Sequence, residues 1–74
     1  MKQKVLFIIN EIRATKGMAP IETISTGMKL REDLNLTSFD LAELTVKIED
    51  EFDIDIFEDG LVNTVGEIFE KLEK

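Results

Sequence analysis

Val5, Ile8, Ile9 and Ile12 fall at i, i+3, i+4 and i+7, the spacing that lines one face of an α-helix. With Gly17 as a stop, the pattern predicts a first helix over about residues 2 to 16. From Met18 to Leu36 the period fails. Pro20, Gly27 and the run Thr23 to Thr26 punctuate it, while Ile21, Ile24, Met28, Leu30 and Leu34 recur without helical order. This reads as a long loop pinned to the core by apolar side chains, and loops of that length in compact domains are often functional. Thr37 or Ser38 caps a second helix, with Asp40 three residues after Thr37 resembling a shortened capping box. Leu41, Leu44, Ile48 and Phe52 mark one apolar face of that helix, and Phe39, Ala42 and Val46 a neighbouring one. Asp53 to Phe57 alternates as a strand does, but an isolated strand is not stable, so it reads as a loop into a short helical turn near Glu58 to Val62. Thr64 caps a last helix, Glu67 completes its capping box, and Val65, Ile68, Phe69 and Leu72 face inward. The expected core is Val5, Ile8, Ile12, Leu30, Leu34, Leu41, Leu44, Ile48, Phe52, Ile56, Val65, Ile68 and Leu72.

The 74 residues suffice for one domain, residues 1–74, with one modest core. Hydrophobic residues at 43% and charged residues at 34% set it apart from a disordered tail. There is no Cys, so disulfides and thiolate metal sites are excluded, and the composition fits a reducing cytoplasm. The start, Met1 to Lys4 and then Val5 to Ile9, has the order of a signal peptide. Asn10, Glu11 and Arg13 interrupt it, and nothing approaches the roughly 20 apolar residues of a membrane span. Nine Lys plus Arg against sixteen Asp plus Glu give a net charge of -7 and a pI near 4.4. Phosphates of nucleic acids and anionic membranes repel such a chain, so its partners are expected to carry basic patches.

The sequence has no His and only two serines, Ser25 and Ser38. Without His or Cys, the Ser-His-Asp and Cys-His arrangements are impossible and the commonest neutral-pH acid-base group is missing, which argues against an enzyme. Asp53, Asp55, Glu58, Asp59 and Gly60 invite comparison with a calcium loop, but the register fails. Counted from Asp53, Glu58 stands where Gly is needed and Thr64 where the closing Glu belongs. No metal site is expected. What remains is Glu32 to Leu44, in which Ser38 sits at a loop-to-helix junction among apolar residues and acids. A Ser in that position is ordinarily a helix cap and nothing more.

A more specific pattern overrides that reading. Glu32-Asp33-Leu34, Asn35-Leu36-Thr37, Ser38-Phe39-Asp40 and then Glu51-Phe52-Asp53 at the matching distance resemble the acyl carrier protein signature. That signature runs Glu-Asp-Leu, three residues, Ser-Leu-Asp, and an acidic helix ending in Glu-Glu-Phe-Asp. The likeness extends over nearly the whole chain, down to Thr64-Val65 opening the last helix. The resemblance implies an all-α fold, a four-helix up-down bundle with a short third helix and a long loop between helices one and two. It also implies that Ser38 carries 4'-phosphopantetheine, attached from coenzyme A by a phosphopantetheinyl transferase, with acyl groups held as thioesters on its thiol. Such a protein is a carrier and not a catalyst. Two departures stand beside the serine: Thr37 where the family usually has Asp, and Phe39 where it usually has Leu. The stretch Ile56 to Thr64 is also about two residues shorter than in fatty-acid carriers, which shortens helix three.

The expected function is therefore carriage of acyl intermediates in fatty-acid, polyketide or a related specialised biosynthesis, by a cytoplasmic monomer. Carriage of aminoacyl or peptidyl groups, D-alanine for example, is the alternative within carriers, and an unmodified acidic interaction module the alternative outside them. The acidity of helix two favours acyl cargo. Helix two is also the expected docking surface for the transferase and the acyl-loading and acyl-processing enzymes. Asp40, Glu43, Glu49 and Asp50 would meet basic groups there, and Phe39, Ala42 and Val46 would form the apolar centre. Lys47, four residues after Glu43, is placed to pair with it.

Overall fold

The first apolar stripe forms helix α1, Lys2–Thr15, in the computed structural model, which describes residues 2–58, 60 and 62–73. Val5, Ile8, Ile9 and Ile12 are all buried. Gly17 closes the helix at φ 75°, a left-handed conformation that costs a residue without Cβ little, and Met18 N–H reaches back to the Arg13 carbonyl at 3.0 Å. Helix α2, Ser38–Phe52, starts from Thr37. The Thr37 hydroxyl accepts Asp40 N–H at 3.2 Å, and Asp40 Oδ2 accepts Thr37 N–H at 2.9 Å. This full capping box resolves the choice of cap: Thr37 does the work and Ser38 is the first helical residue. Asp53 ends α2 in the left-handed region at φ 60°. Helix α3, Val65–Leu72, carries the expected Thr64–Glu67 capping box.

The long loop between α1 and α2 is anchored by polar groups as well as apolar ones. Asn10, which breaks the apolar run of α1, pairs its amide with both backbone groups of Ile21, at 3.0 and 2.9 Å. Arg13, only 8% exposed, donates to the Ala19 and Leu34 carbonyls and holds both ends of the loop to the last turn of α1. Farther along, the loop docks on the start of α3. Leu30 N–H donates to the Asn63 carbonyl at 2.9 Å, Val65 N–H to Met28 at 3.0 Å and Gly66 N–H to Thr26 at 3.0 Å. A helix leaves its first N–H groups without intrahelical partners, and here loop carbonyls and the capping box take all of them. Gly66 is required by the close approach, because a Cβ there would lie 2.9 Å from the Thr26 carbonyl oxygen.

Helices α1 and α2 pack on each other, and one buried cluster joins both to α3 and the loop. Eleven of the expected core residues are buried, whereas Phe52 and Leu72 are half-buried against the cluster. Ile9, Ile24, Leu36 and Val62 complete it. Each fully buried Leu or Ile contributes about 1.5 to 3 kcal/mol relative to exposure, so a core of this size supports one small domain with little margin.

The short helical turn expected near Glu58 to Val62 falls partly on Asp59 and Leu61, which lie outside the described residues, and the described residues of that stretch form no helix. The neighbouring backbone forms single turns, Glu58 N–H to Asp55 O at 3.3 Å and Gly60 N–H to Phe57 O at 3.2 Å. Asp55 Oδ1 takes the Phe57 N–H, a local bond that competes with helix, and Gly60 at φ 131° is far from helical. Among the described residues the fold is all-α with three helices instead of four, and no helix is long and apolar enough to cross a membrane.

Candidate functional site

The first turn of α2 splits its residues between two environments. Thr37 and Asp40 close on each other through the capping box, and Asp40 is only 6% exposed. Ser38 and Phe39, between them, face solvent. The N–H groups of Ser38 and Phe39 meet no acceptor among the described residues, in contrast to the fully engaged start of α3. Ser38 Oγ accepts a hydrogen bond from Nη2 of Arg31, which reaches it from the long loop.

Asp40 Oδ2 also accepts from Lys16 Nζ at 2.6 Å, and the same ammonium donates to the Asn35 carbonyl. The bond from Lys16 holds the Asp40 carboxyl below the usual aspartate range, helped by Thr37 N–H and opposed by burial. Asn35 sits in the left-handed region at φ 59°, which Asn tolerates better than most residues. One carboxylate thus ties the end of α1, the end of the loop and the start of α2 together, directly beneath Ser38.

This placement corrects the docking expectation at one position. Asp40 is an internal capping and ion-pairing group, and its charge is not presented to a partner. The other positions lie on the outer side of α2: Glu43 is half-buried, while Ala42, Glu49 and Asp50 are exposed. Phe39 is 78% exposed and Val46 62%, so with Phe7 at 64% they are, among the described residues, the large apolar side chains left in solvent. Two of these three, Phe39 and Val46, share the stripe that runs from Ser38 along α2. The second correction is Lys47, whose Nζ lies 3.9 Å from Glu11 Oε1 of α1 instead of pairing with Glu43. Packing of α1 against α2 brings Glu11 within reach and leaves Glu43 without that neutralising partner.

A pocket of about 170 Å³ opens beside the site, lined by Lys29, Leu30, Arg31, Glu32, Val62, Asn63 and Thr64. Among the described residues, no three carboxylates converge to hold a metal ion. The roles of Arg13, Lys16 and Arg31 are not visible in sequence spacing, because each depends on a partner brought close by the loop.

The chain is 40% identical, over 76 aligned positions, to the acyl carrier protein of Amoebophilus asiaticus (strain 5a2), a match spanning all of this chain and 90% of that relative. No protein-family model and no solved structure matches it.

Proposed function

The chain belongs to the acyl carrier protein family, and from that premise we propose that Ser38 bears a 4'-phosphopantetheine arm on which acyl groups travel. The observation that carries this reading is a serine hydroxyl exposed at the first residue of α2 and not needed as its cap. The donor set fits a phosphodiester. A guanidinium touches the hydroxyl oxygen, two backbone N–H groups of the helix start are open, and the helix dipole favours an anion there. When bound, the arm supplies the thiol that forms thioesters, and the protein supplies attachment, presentation and recognition.

The chain's own residues divide that work. Thr37 and Asp40 fix the helix start so that Ser38 is presented on a defined backbone. Phe39, Ala42 and Val46 offer an apolar centre for the phosphopantetheinyl transferase and for acyl-loading and acyl-processing enzymes, and Glu43, Glu49 and Asp50 attract their basic groups. The reaction at Ser38 belongs to the transferase. The serine oxygen bonds to phosphorus, its proton passes to a base of the transferase, and the adenosine 3',5'-bisphosphate portion of coenzyme A leaves. The acidity of α2 supports acyl cargo, as in fatty-acid, polyketide or related synthesis, over aminoacyl cargo, and a cytoplasmic setting follows from where coenzyme A-dependent loading takes place.

Intact mass after incubation with coenzyme A and a transferase tests the reading. Wild type gains one phosphopantetheine increment and Ser38→Ala gains none, while the variant's stability changes by no more than about 0.5 kcal/mol because Thr37 is the cap. An increment retained in Ser38→Ala, or absent from wild type, overturns it.

A further inference from the structure

We propose that Arg31 is a positioning residue for the phosphate at Ser38, exchanging its contact with the neutral hydroxyl for an ion pair with a phosphate oxygen once the arm is attached. The inference rests on the reading of Ser38 given above. It begins from a contact between groups seven positions apart: Arg31 Nη2 donates to Ser38 Oγ, the atom that would become the ester oxygen. Esterification places the non-bridging phosphate oxygens within a bond length or two of the present acceptor, hence within reach of the same guanidinium.

The charge on Arg31 is available. Among the described residues, Lys4, Lys16, Lys29 and Lys47 each lie within 4.0 Å of a carboxylate, on Glu51, Asp40, Glu32 and Glu11 respectively. Arg31 makes no such pair. The acids nearest to it in sequence are already engaged, Glu32 by Lys29 Nζ at 3.2 Å and Asp33 by Lys29 N–H at 2.7 Å. In a chain of net charge -7, an unpaired cation touching the one serine of the carrier signature is the local exception to an anionic surface.

The base of the side chain is also fixed. Leu30 and Leu34 on either side are buried in the core. The turn between them is closed by Asp33 N–H to Lys29 O at 2.9 Å, Leu34 N–H to Lys29 O at 3.2 Å and Leu36 N–H to Leu30 O at 3.0 Å. Arg31 therefore projects from a rigid turn. A guanidinium presents a planar fork of donors that matches phosphate bidentately, whereas a single neutral hydroxyl oxygen offers it neither the second acceptor nor the opposite charge. The root of the arm is held toward the loop, and the rest of the arm stays free to reach partner enzymes.

The experiment loads wild type, Arg31→Gln and Arg31→Lys to completion, verifies each by intact mass, and records the ³¹P resonance of the phosphodiester from low to high salt. The ¹⁵N–¹H signal of the Arg31 side chain is followed in wild type before and after loading. The proposal expects a ³¹P shift that differs between wild type and Arg31→Gln at low salt, converges as salt rises, and is partly restored in Arg31→Lys, which keeps the charge but not the fork. It also expects the Arg31 signal to move on loading. Identical ³¹P shifts and salt responses in fully loaded wild type and Arg31→Gln, with an unmoved Arg31 signal, overturn the proposal and leave the carrier reading standing. Failure of wild type to gain the mass increment overturns both. Because loading is run to its end point, a variant that loads slowly still reports.

Discussion

Asp40→Asn isolates the junction beneath Ser38 with almost no change in shape. Asp40 Oδ2 accepts Lys16 Nζ at 2.6 Å and Thr37 N–H at 2.9 Å from a side chain that is 8% exposed. An asparagine oxygen can keep the Thr37 bond, so the main loss is the charge-assisted bond to Lys16. A buried pair broken from one side costs about 3 to 5 kcal/mol. Lys16, however, is 26% exposed and can turn its ammonium to water, which reduces the cost to that of a hydrogen bond to a charged group, about 2 kcal/mol. Against a total stability of order 5 kcal/mol this lowers the melting temperature by about 10 °C. Melting by far-ultraviolet circular dichroism across pH checks both the size and the origin. The folded-state pKa of Asp40 is depressed, so its contribution is complete above the unfolded value of about 3.9 and is lost as pH falls through the lower folded value. The gap between wild type and Asp40→Asn is therefore flat from about pH 7 to pH 5 and closes below about pH 4. A gap that is absent at pH 7, or that persists undiminished in acid, refutes the assignment of this stability to the Asp40 charge.

Leu44→Ala removes a fully buried side chain from the α2 face of the core and lowers stability by about 2 to 5 kcal/mol, measured by chemical denaturation. Gly66→Ala drives a Cβ against the Thr26 carbonyl and costs about 1 to 3 kcal/mol, with faster hydrogen exchange at the Val65 and Gly66 amides as the loop lifts from α3. Glu43→Lys slows loading of Ser38 most at low ionic strength and leaves melting nearly unchanged, because a charge at the edge of an interface acts mainly on association. Equal loading rates at low salt would leave the apolar stripe alone to explain recognition.

The helices were legible because their signals are local. The four isoleucine and valine positions of α1, the Thr37–Asp40 and Thr64–Glu67 pairs and Gly17 each act within one or two turns, and both ends of α1 and the starts of α2 and α3 follow from them to within a residue. Even the choice between Thr37 and Ser38 was decidable, since a capping box needs its acid at the third helical position, and only Thr37 places Asp40 there. The loop was legible in part: Ile24, Leu30 and Leu34, the apolar residues expected to pin it to the core, are buried, whereas the burial of Leu36 and Val62 was not legible, because loop residues have no period to mark an inward side. Nor was the ion pair that turns Asp40 inward. Its partner Lys16 is 24 positions away, so an acid that looks surface-bound in sequence becomes internal only when the loop folds back. The alternation of Asp53 to Phe57 did not make a strand: the segment is the loop expected of it, with Ile56 buried and its shape set by turns and an aspartate-backbone bond, whose spacing no helical or strand period describes.

The split within the first turn of α2 would let one short stretch serve both stability and the modification proposed at Ser38. A serine acting as cap would have its hydroxyl oxygen engaged by a backbone N–H, and esterifying that oxygen would crowd the bond that starts the helix. Here Thr37 holds the backbone, Asp40 locks Thr37 and Lys16 from below, and Ser38 and Phe39 project outward between the two anchored positions. Attaching a group at Ser38 then disturbs no contact of the capping box and displaces only the Arg31 donor, which gains a better acceptor in exchange. The hydroxyl stands on a rigid frame while remaining outside the frame's own bonding, the arrangement a residue needs when another enzyme must reach and modify it.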